Sequence, residues 1–80
     1  MKKYKVIEDG IEYTIEEWAN GDKEWYFKDQ LHRINGPAIE WDNRDKWWYL
    51  DGINYTKKEY YRALLERKLI TKKDAFIELV

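Results

Sequence analysis

Eighty residues allow one small domain and leave little room for a sheltered catalytic cleft beside a core. The composition, 44% hydrophobic and 39% charged with one Pro and four Gly, excludes a disordered segment, and the lack of Cys excludes disulfides and thiolate metal sites. The formal charge of −1 divides into an acidic body and a basic tail: residues 1 to 55 carry 8 Lys/Arg against 12 Asp/Glu, and residues 56 to 80 carry 7 against 4, which is far from the positive density of a phosphate-binding surface.

No signal-like apolar region follows Met1-Lys2-Lys3, and no apolar run approaches the roughly 18 residues of a membrane span, so a cytoplasmic location and no membrane partner are expected. Runs of aromatic and β-branched residues punctuated by turn formers then predict strands near 3–8 and 11–18, joined at Asp9-Gly10. Further strands are expected near 23–28, 31–34, 37–41 and 45–50, with a short one near 53–55. Asn20-Gly21-Asp22, Asp42-Asn43-Arg44-Asp45 and Asp51-Gly52 supply turns, because Gly, Asn and Asp tolerate the positive φ angles that tight hairpins need.

Consecutive antiparallel pairing, a meander, is the simplest topology. Alternation along each strand places Trp25 and Phe27 on one face with Tyr26 opposite, and Trp48 and Leu50 together with Trp47 and Tyr49 opposite. Aromatic residues on both faces mean that the second face is covered by the C-terminal helices, by another subunit or by a partner.

The helix signal is Thr56-Lys57-Lys58-Glu59, a capping box, followed by Tyr60, Tyr61, Leu64 and Leu65 at helical spacing, which predicts a helix over 57–68. A second start at Thr71-Lys72-Lys73-Asp74 precedes Ala75, Phe76, Leu79 and Val80, and predicts a short terminal helix. The fold class expected is therefore α+β: an antiparallel β-meander of six to seven short strands capped by one or two C-terminal helices, in a single domain over 1–80.

Internal repetition is the most specific signal. Trp18-Ala19-Asn20-Gly21-Asp22-Lys23-Glu24-Trp25-Tyr26-Phe27 matches Trp41-Asp42-Asn43-Arg44-Asp45-Lys46-Trp47-Trp48-Tyr49-Leu50 at an offset of 23, with six of ten positions identical. Asp9-Gly10-Ile11-Glu12-Tyr13-Thr14 echoes Asp51-Gly52-Ile53-Asn54-Tyr55-Thr56, with five of six identical. Two interlocking matches argue for a hairpin unit of 23 residues used more than once.

The run Leu31-His32-Arg33-Ile34-Asn35-Gly36-Pro37-Ala38, preceded by Lys23-Glu24-Trp25-Tyr26-Phe27, resembles the L-H-R-x-x-G-P-A units of MORN-like repeat proteins of bacteria and their phages. The likeness covers residues 18 to 54 and contains one complete unit, since the next would begin at Ile53-Asn54-Tyr55 and runs into the helix instead. The resemblance implies an antiparallel hairpin array serving as a scaffold or binding surface. The short, capped form resembles a small phage accessory protein, which implies a host protein, such as a defence protein, as the partner to be inhibited.

Without Cys or Ser, and with His32 as the sole His, no Ser–His or Cys–His nucleophile can be assembled within one chain, and no enzymatic activity is expected. His32 reads as a structural imidazole near the Gly-Pro turn. Asp22, Asp42 and Asp45 lack the order of a calcium loop and read as turn formers, so neither a metal nor another cofactor is expected. Trp25 and Trp48 read as core.

A protein-binding module is the favoured reading, with Trp18, Trp41, Trp47 and Tyr49 as candidate anchors, because Trp and Tyr are enriched where binding energy concentrates. Arg33 and Arg44 join them as candidate contacts. The alternatives are a nucleotide or single-strand nucleic-acid binder that stacks bases on those rings, and a self-associating homo-oligomer with a structural role.

Overall fold

A computed structural model describes residues 1–71 and shows an antiparallel sheet with one helix. The sheet comprises β1 (Lys2–Glu8), β2 (Ile11–Glu17), β3 (Lys23–Phe27), β4 (Gln30–Leu31), β5 (Ile39–Glu40), β6 (Lys46–Leu50) and β7 (Ile53–Tyr55), and α1 spans Lys57–Glu66. The expected α+β meander is thus present. The second helix expected after Thr71 lies outside the described residues.

Three hairpins turn through two consecutive residues at positive φ: Asp9 and Gly10 (52° and 80°), Lys28 and Asp29 (50° and 64°), and Asp51 and Gly52 (53° and 79°). Two such residues define a turn whose twist matches that of the flanking strands. β3 was expected to continue to residue 28 and instead ends at Phe27, because Lys28 and Asp29 turn without the help of a glycine. The two longer turns share one architecture. Trp18 N–H donates to the Asp22 carbonyl and Gly21 N–H to the Trp18 carbonyl; 23 residues later, Trp41 donates to Asp45 and Arg44 to Trp41. In each, an Asn side chain accepts from the amide of the Asp two residues on, Asn20 from Asp22 (3.1 Å) and Asn43 from Asp45 (3.0 Å). The left-handed position is Gly21 in one and Arg44 in the other.

The sheet order β1-β2-β3-β5-β6-β7, with β4 also on β3, departs from strictly consecutive pairing at one place. β4 and β5, expected as strands 31–34 and 37–41, are two short ends of one strand that both pair with β3, Leu31 opposite Tyr26 and Ile39 opposite Glu24. The Trp25 backbone holds both ends, accepting from His32 N–H (3.1 Å) and donating to the Ala38 carbonyl (2.7 Å). Residues 33–37 therefore leave the sheet plane between those two bonds. Pro37 cannot donate to a strand neighbour and Gly36 lies at φ 154°, so this segment is unsuited to an uninterrupted central strand.

That excursion and α1 together cover one face of the sheet. Leu50, Tyr60 and Leu64 are fully buried there, with Ile34, Trp48 and Tyr55 packed around them. Burying a side chain such as Leu64 contributes about 1.5–3 kcal/mol. Beside them, Tyr13 meets Trp25 and Phe27 edge-on, with ring centroids 5.4 and 6.3 Å apart. Two phenols fasten the excursion: Tyr13 Oη accepts from Ile34 N–H (3.1 Å), and Tyr60 Oη accepts from Gly36 N–H (3.3 Å) while donating to the Arg33 carbonyl. Burial raises the Tyr60 phenol well above its ordinary range, so it stays protonated and able to donate.

α1 begins as its capping box requires. Glu59 N–H donates to Thr56 Oγ1 (3.1 Å) and Thr56 N–H to Glu59 Oε1 (3.0 Å), which satisfies two of the free amides of the first turn. It ends two residues before the expected 68, where Lys68 takes φ 59° and Leu69 N–H donates to the Leu64 carbonyl (2.9 Å), a Schellman turn that stops the helix.

Candidate functional site

The register assigns every strand residue to a face, and the candidate aromatic residues fall on the face opposite α1. Ile39 stands opposite both Glu24 and Trp47, and Tyr49 lies two residues beyond Trp47. Trp48 and Leu50 point the other way, toward Tyr60, with the Trp48 and Tyr60 rings 6.5 Å apart. Alternation past the ends of β2 and β5 carries Trp18 and Trp41 to the same face as Trp47, since Glu17 and Glu40 both stand opposite Lys23 on the covered face. Trp18, Trp41, Trp47 and Tyr49, scattered over 32 positions of sequence, therefore share one side. α1 does not cover it. Trp47 is 44% exposed and Trp18 36%, and Ile7, on the same face of β1, is 75% exposed.

Recesses border the aromatic residues. One, about 410 Å³, sits at the sheet edge where β6 begins and β7 ends, lined by Trp47 from this side and by Trp48 and Tyr55 from the covered face. Another, about 370 Å³, lies between Trp18 and Trp41, with Asn20, Asp22 and Glu24 also lining it. The repeated turns form its rim: the Asp42 amide donates to Asp22 Oδ1 (2.7 Å), locking one Trp-bearing turn beside the other.

The electrostatics of this groove are one-sided. Glu24 stands directly opposite Glu16 across the β2–β3 pair, and neither carboxylate forms an ion pair with a described residue. Lys3, opposite Glu16 on its other side, does not close a salt bridge to it. Tyr26 Oη donates to Glu24 Oε1 (3.2 Å), and burial together with the charges of Glu24 and Glu16 pushes this phenol up to about 12.

The two candidate arginines fare differently. Arg44 sits at the tip of its turn, exposed, at the left-handed position. Arg33 lies on the covered face and is withdrawn from the candidate partner surface: its side chain is 13% exposed, with Nε and Nη2 donating to the two oxygens of Glu8 (3.0 and 2.9 Å). Nη1 reaches the Pro37 carbonyl (3.2 Å) and Glu40 (3.5 Å), and the guanidinium lies 3.6 Å from the Trp25 ring centroid. Burial opposes its charge, but the Glu8 hydrogen bonds and the charges of Glu8 and Glu40 outweigh it and raise the pKa. Arg33 is the pin that holds the excursion down onto β1 and β3.

His32 is structural, though not at the Gly-Pro turn. It is 6% exposed, lies against Phe27 with centroids 5.4 Å apart, and its Nδ1 accepts the Asp51 amide (2.9 Å). An Nδ1 that accepts carries no proton, so the ring is the neutral Nε2–H tautomer and the Asp51 carboxylate 3.5 Å away is not an ion-pair partner. Burial lowers the His32 pKa, and the neighbouring Asp51 charge offsets this only in part.

Sequence reasoning missed the Glu8–Arg33 pair, 25 residues apart, and the Glu16–Glu24 pair. Neither carries a local signal, since both depend on register. The Gly36-Pro37 dipeptide inside an expected pair of strands did announce the break that frees Arg33 to reach Glu8.

Among the described residues, no group of His, Asp and Glu is arranged to hold a metal ion, and no helix is long and apolar enough to cross a membrane. Comparison with protein-family models, with curated proteins and with solved structures returned no match.

Proposed function

We propose that this chain is a non-enzymatic protein-binding module whose working surface is the face opposite α1. One observation carries the reading: Trp18, Trp41, Trp47 and Tyr49 lie together on the side that neither α1 nor the 33–37 excursion covers. Large aromatic side chains cost little entropy to immobilise and supply most of the apolar area at binding hot spots. A small domain that keeps Trp47 44% exposed while burying Leu50 completely on the other face has apolar surface in excess of its own core. The two like-built turns support an origin in hairpin repeats, as the MORN-like resemblance implies. In that reading the partner is a host protein, met in the cytoplasm and inhibited by occlusion rather than chemistry.

A nucleotide-binding role has less support on this geometry. It needs cations near the rings, and although Lys46 and Lys57 line the recess at Trp47, Arg33 is committed to Glu8 and the groove beside Trp18 and Trp41 is lined by Asp22 and Glu24. His32 is not available as a catalytic base, because its Nδ1 is occupied and its ring is buried.

Affinity capture from bacterial lysate with wild type, Trp47→Ala and Lys58→Ala tests the reading. Lys58 is exposed on α1, away from the aromatic face. The expected outcome is a partner retained by wild type and Lys58→Ala and lost with Trp47→Ala. A partner indifferent to Trp47 and lost with Lys58 would move the working surface to the helix and overturn the proposal.

A further inference from the structure

We infer that the groove between Trp18 and Trp41 receives a lysine or arginine side chain from a basic segment of a protein partner. The inference rests on the open-face reading and gives that face a chemistry. Three independent features converge on it. Two indoles border a recess of about 370 Å³, large enough for a long aliphatic stem and its charged head. Trp is the aromatic side chain that attracts cations most strongly, through the negative face of its ring.

The acids around the recess supply the second feature. Glu24 lines the groove and stands directly opposite Glu16, an arrangement that disfavours the sheet because like charges repel across a strand pair. No described Lys or Arg forms an ion pair with either one, whereas Glu8 and Glu40 on the covered face both meet Arg33 and Glu12 on the open face meets Lys5. The Tyr26 phenol is pushed up to about 12, first by burial and then by the charges of Glu24 and Glu16. A cation brought by a partner would relieve the repulsion and gain the two rings together.

Rigidity is the third feature. The Asp42 amide bond to Asp22 and the paired Asn–Asp turns fix the backbones that carry both tryptophans, so a guest does not have to order the site before using it. Asp22 Oδ1 and Oδ2 are engaged by Asp42 and Asn20, whereas among the described residues Glu24 uses only Oε1, toward Tyr26, and keeps Oε2 for the guest.

A second copy of this chain is a poorer occupant. Its net positive stretch lies C-terminal to residue 55, with 7 Lys/Arg against 4 Asp/Glu where residues 1 to 55 carry 8 against 12, and α1, which opens that stretch, packs on the other face of the sheet. Docking that surface into the groove would be head-to-tail and would propagate into filaments rather than close.

The test uses the full chain and short peptides alternating Gly with Lys, with Glu or with Leu, followed through the indole N–H signals of Trp18 and Trp41 in NMR spectra and by intrinsic fluorescence. The Lys peptide is expected to shift both indoles and to release on raising salt from about 50 to about 500 mM, as surface charge attraction is screened. Glu24→Gln, nearly isosteric, is expected to weaken it about threefold, and Trp41→Ala about tenfold or more. Glu24→Lys is the control that keeps the question open should Trp41→Ala unfold, and it should abolish binding of the Lys peptide. If the Glu or Leu peptide bound as well as the Lys peptide, with shifts at Trp47 rather than Trp18 and Trp41, the cation site would be refuted while the open-face reading stood. Silence of both groove indoles toward every peptide, or concentration-dependent association competing with the Lys peptide, would also overturn it.

Discussion

Replacing Arg33 by Lys isolates the role of the guanidinium without changing charge. In the native fold Arg33 makes two short parallel bonds to Glu8, a further bond to the Pro37 carbonyl and a stack on Trp25 at 3.6 Å. Lys can satisfy one oxygen of Glu8 as a point charge but cannot fork, and its ammonium is too strongly hydrated to lie flat on the indole. One charge-assisted hydrogen bond lost at a largely buried site costs about 1.5–3 kcal/mol, and loss of the stack adds about 0.5–1. The sum, about 2–4 kcal/mol, is a large fraction of the stability a domain of this size can have. Urea denaturation followed by tryptophan fluorescence would show the midpoint falling with the slope unchanged, because the surface exposed on unfolding is the same. The companion variant Glu8→Gln should cost less when Arg33 is already Lys than in the wild type, since the two residues act as one unit. A loss under about 0.5 kcal/mol for Arg33→Lys would refute the pin and return Arg33 to the list of surface contacts.

The remaining expectations follow the same accounting. Arg44→Gly should stabilise the protein by about 1 kcal/mol, because Arg44 holds φ 76° where its counterpart is Gly21, whereas Gly21→Ala should destabilise it by a similar amount in thermal or urea melts. Tyr60→Phe leaves the Gly36 amide without its acceptor in a buried place and should cost about 1–3 kcal/mol, with Ile34 and Gly36 losing hydrogen-exchange protection first. Stability should decline with acid through His32. Its folded pKa lies below the ordinary 6.5, so its contribution is complete above pH 6.5, shrinks as pH falls below that value and is gone once the folded pKa is passed. Urea midpoints measured from pH 7.5 down to about 4.5 should show this slope, and it should flatten in His32→Gln, which cannot titrate.

The reach of the sequence can be judged from individual elements. The turns at Asp9-Gly10 and Asp51-Gly52, the capping box at Thr56 and Glu59, and the opposite facing of Trp47 and Trp48 were all legible, because each depends on residues within four positions of one another. The turn between β3 and β4 was legible only to within a residue, expected after 28 and found at Lys28-Asp29, because neither residue is the Gly or Asn that usually marks a left-handed pair; closure of the β3–β4 hairpin imposes it. The fate of Arg33 was not legible. In sequence it is an arginine beside a histidine, as suited to a surface as Arg44, and only the alignment of β1 with β2 and β3 brings Glu8 beneath it.

The sequence by itself determined that seven strands and the helix α1 form near their observed places, the two matched Trp-x-Asn-x-Asp turns and the set of aromatic residues available for binding, since these follow from local conformational preference and period-two alternation. Only the tertiary structure decided which of those aromatics remain open. Packing α1 and the 33–37 excursion on a single face consumes Trp25, Trp48 and Arg33 in the fold and leaves Trp18, Trp41, Trp47 and Tyr49 together on the other, beside Glu16 and Glu24, which form no ion pair with a described residue. That choice of face arises from contacts between residues up to 27 apart in sequence, such as Tyr60 with Arg33, which no local pattern encodes.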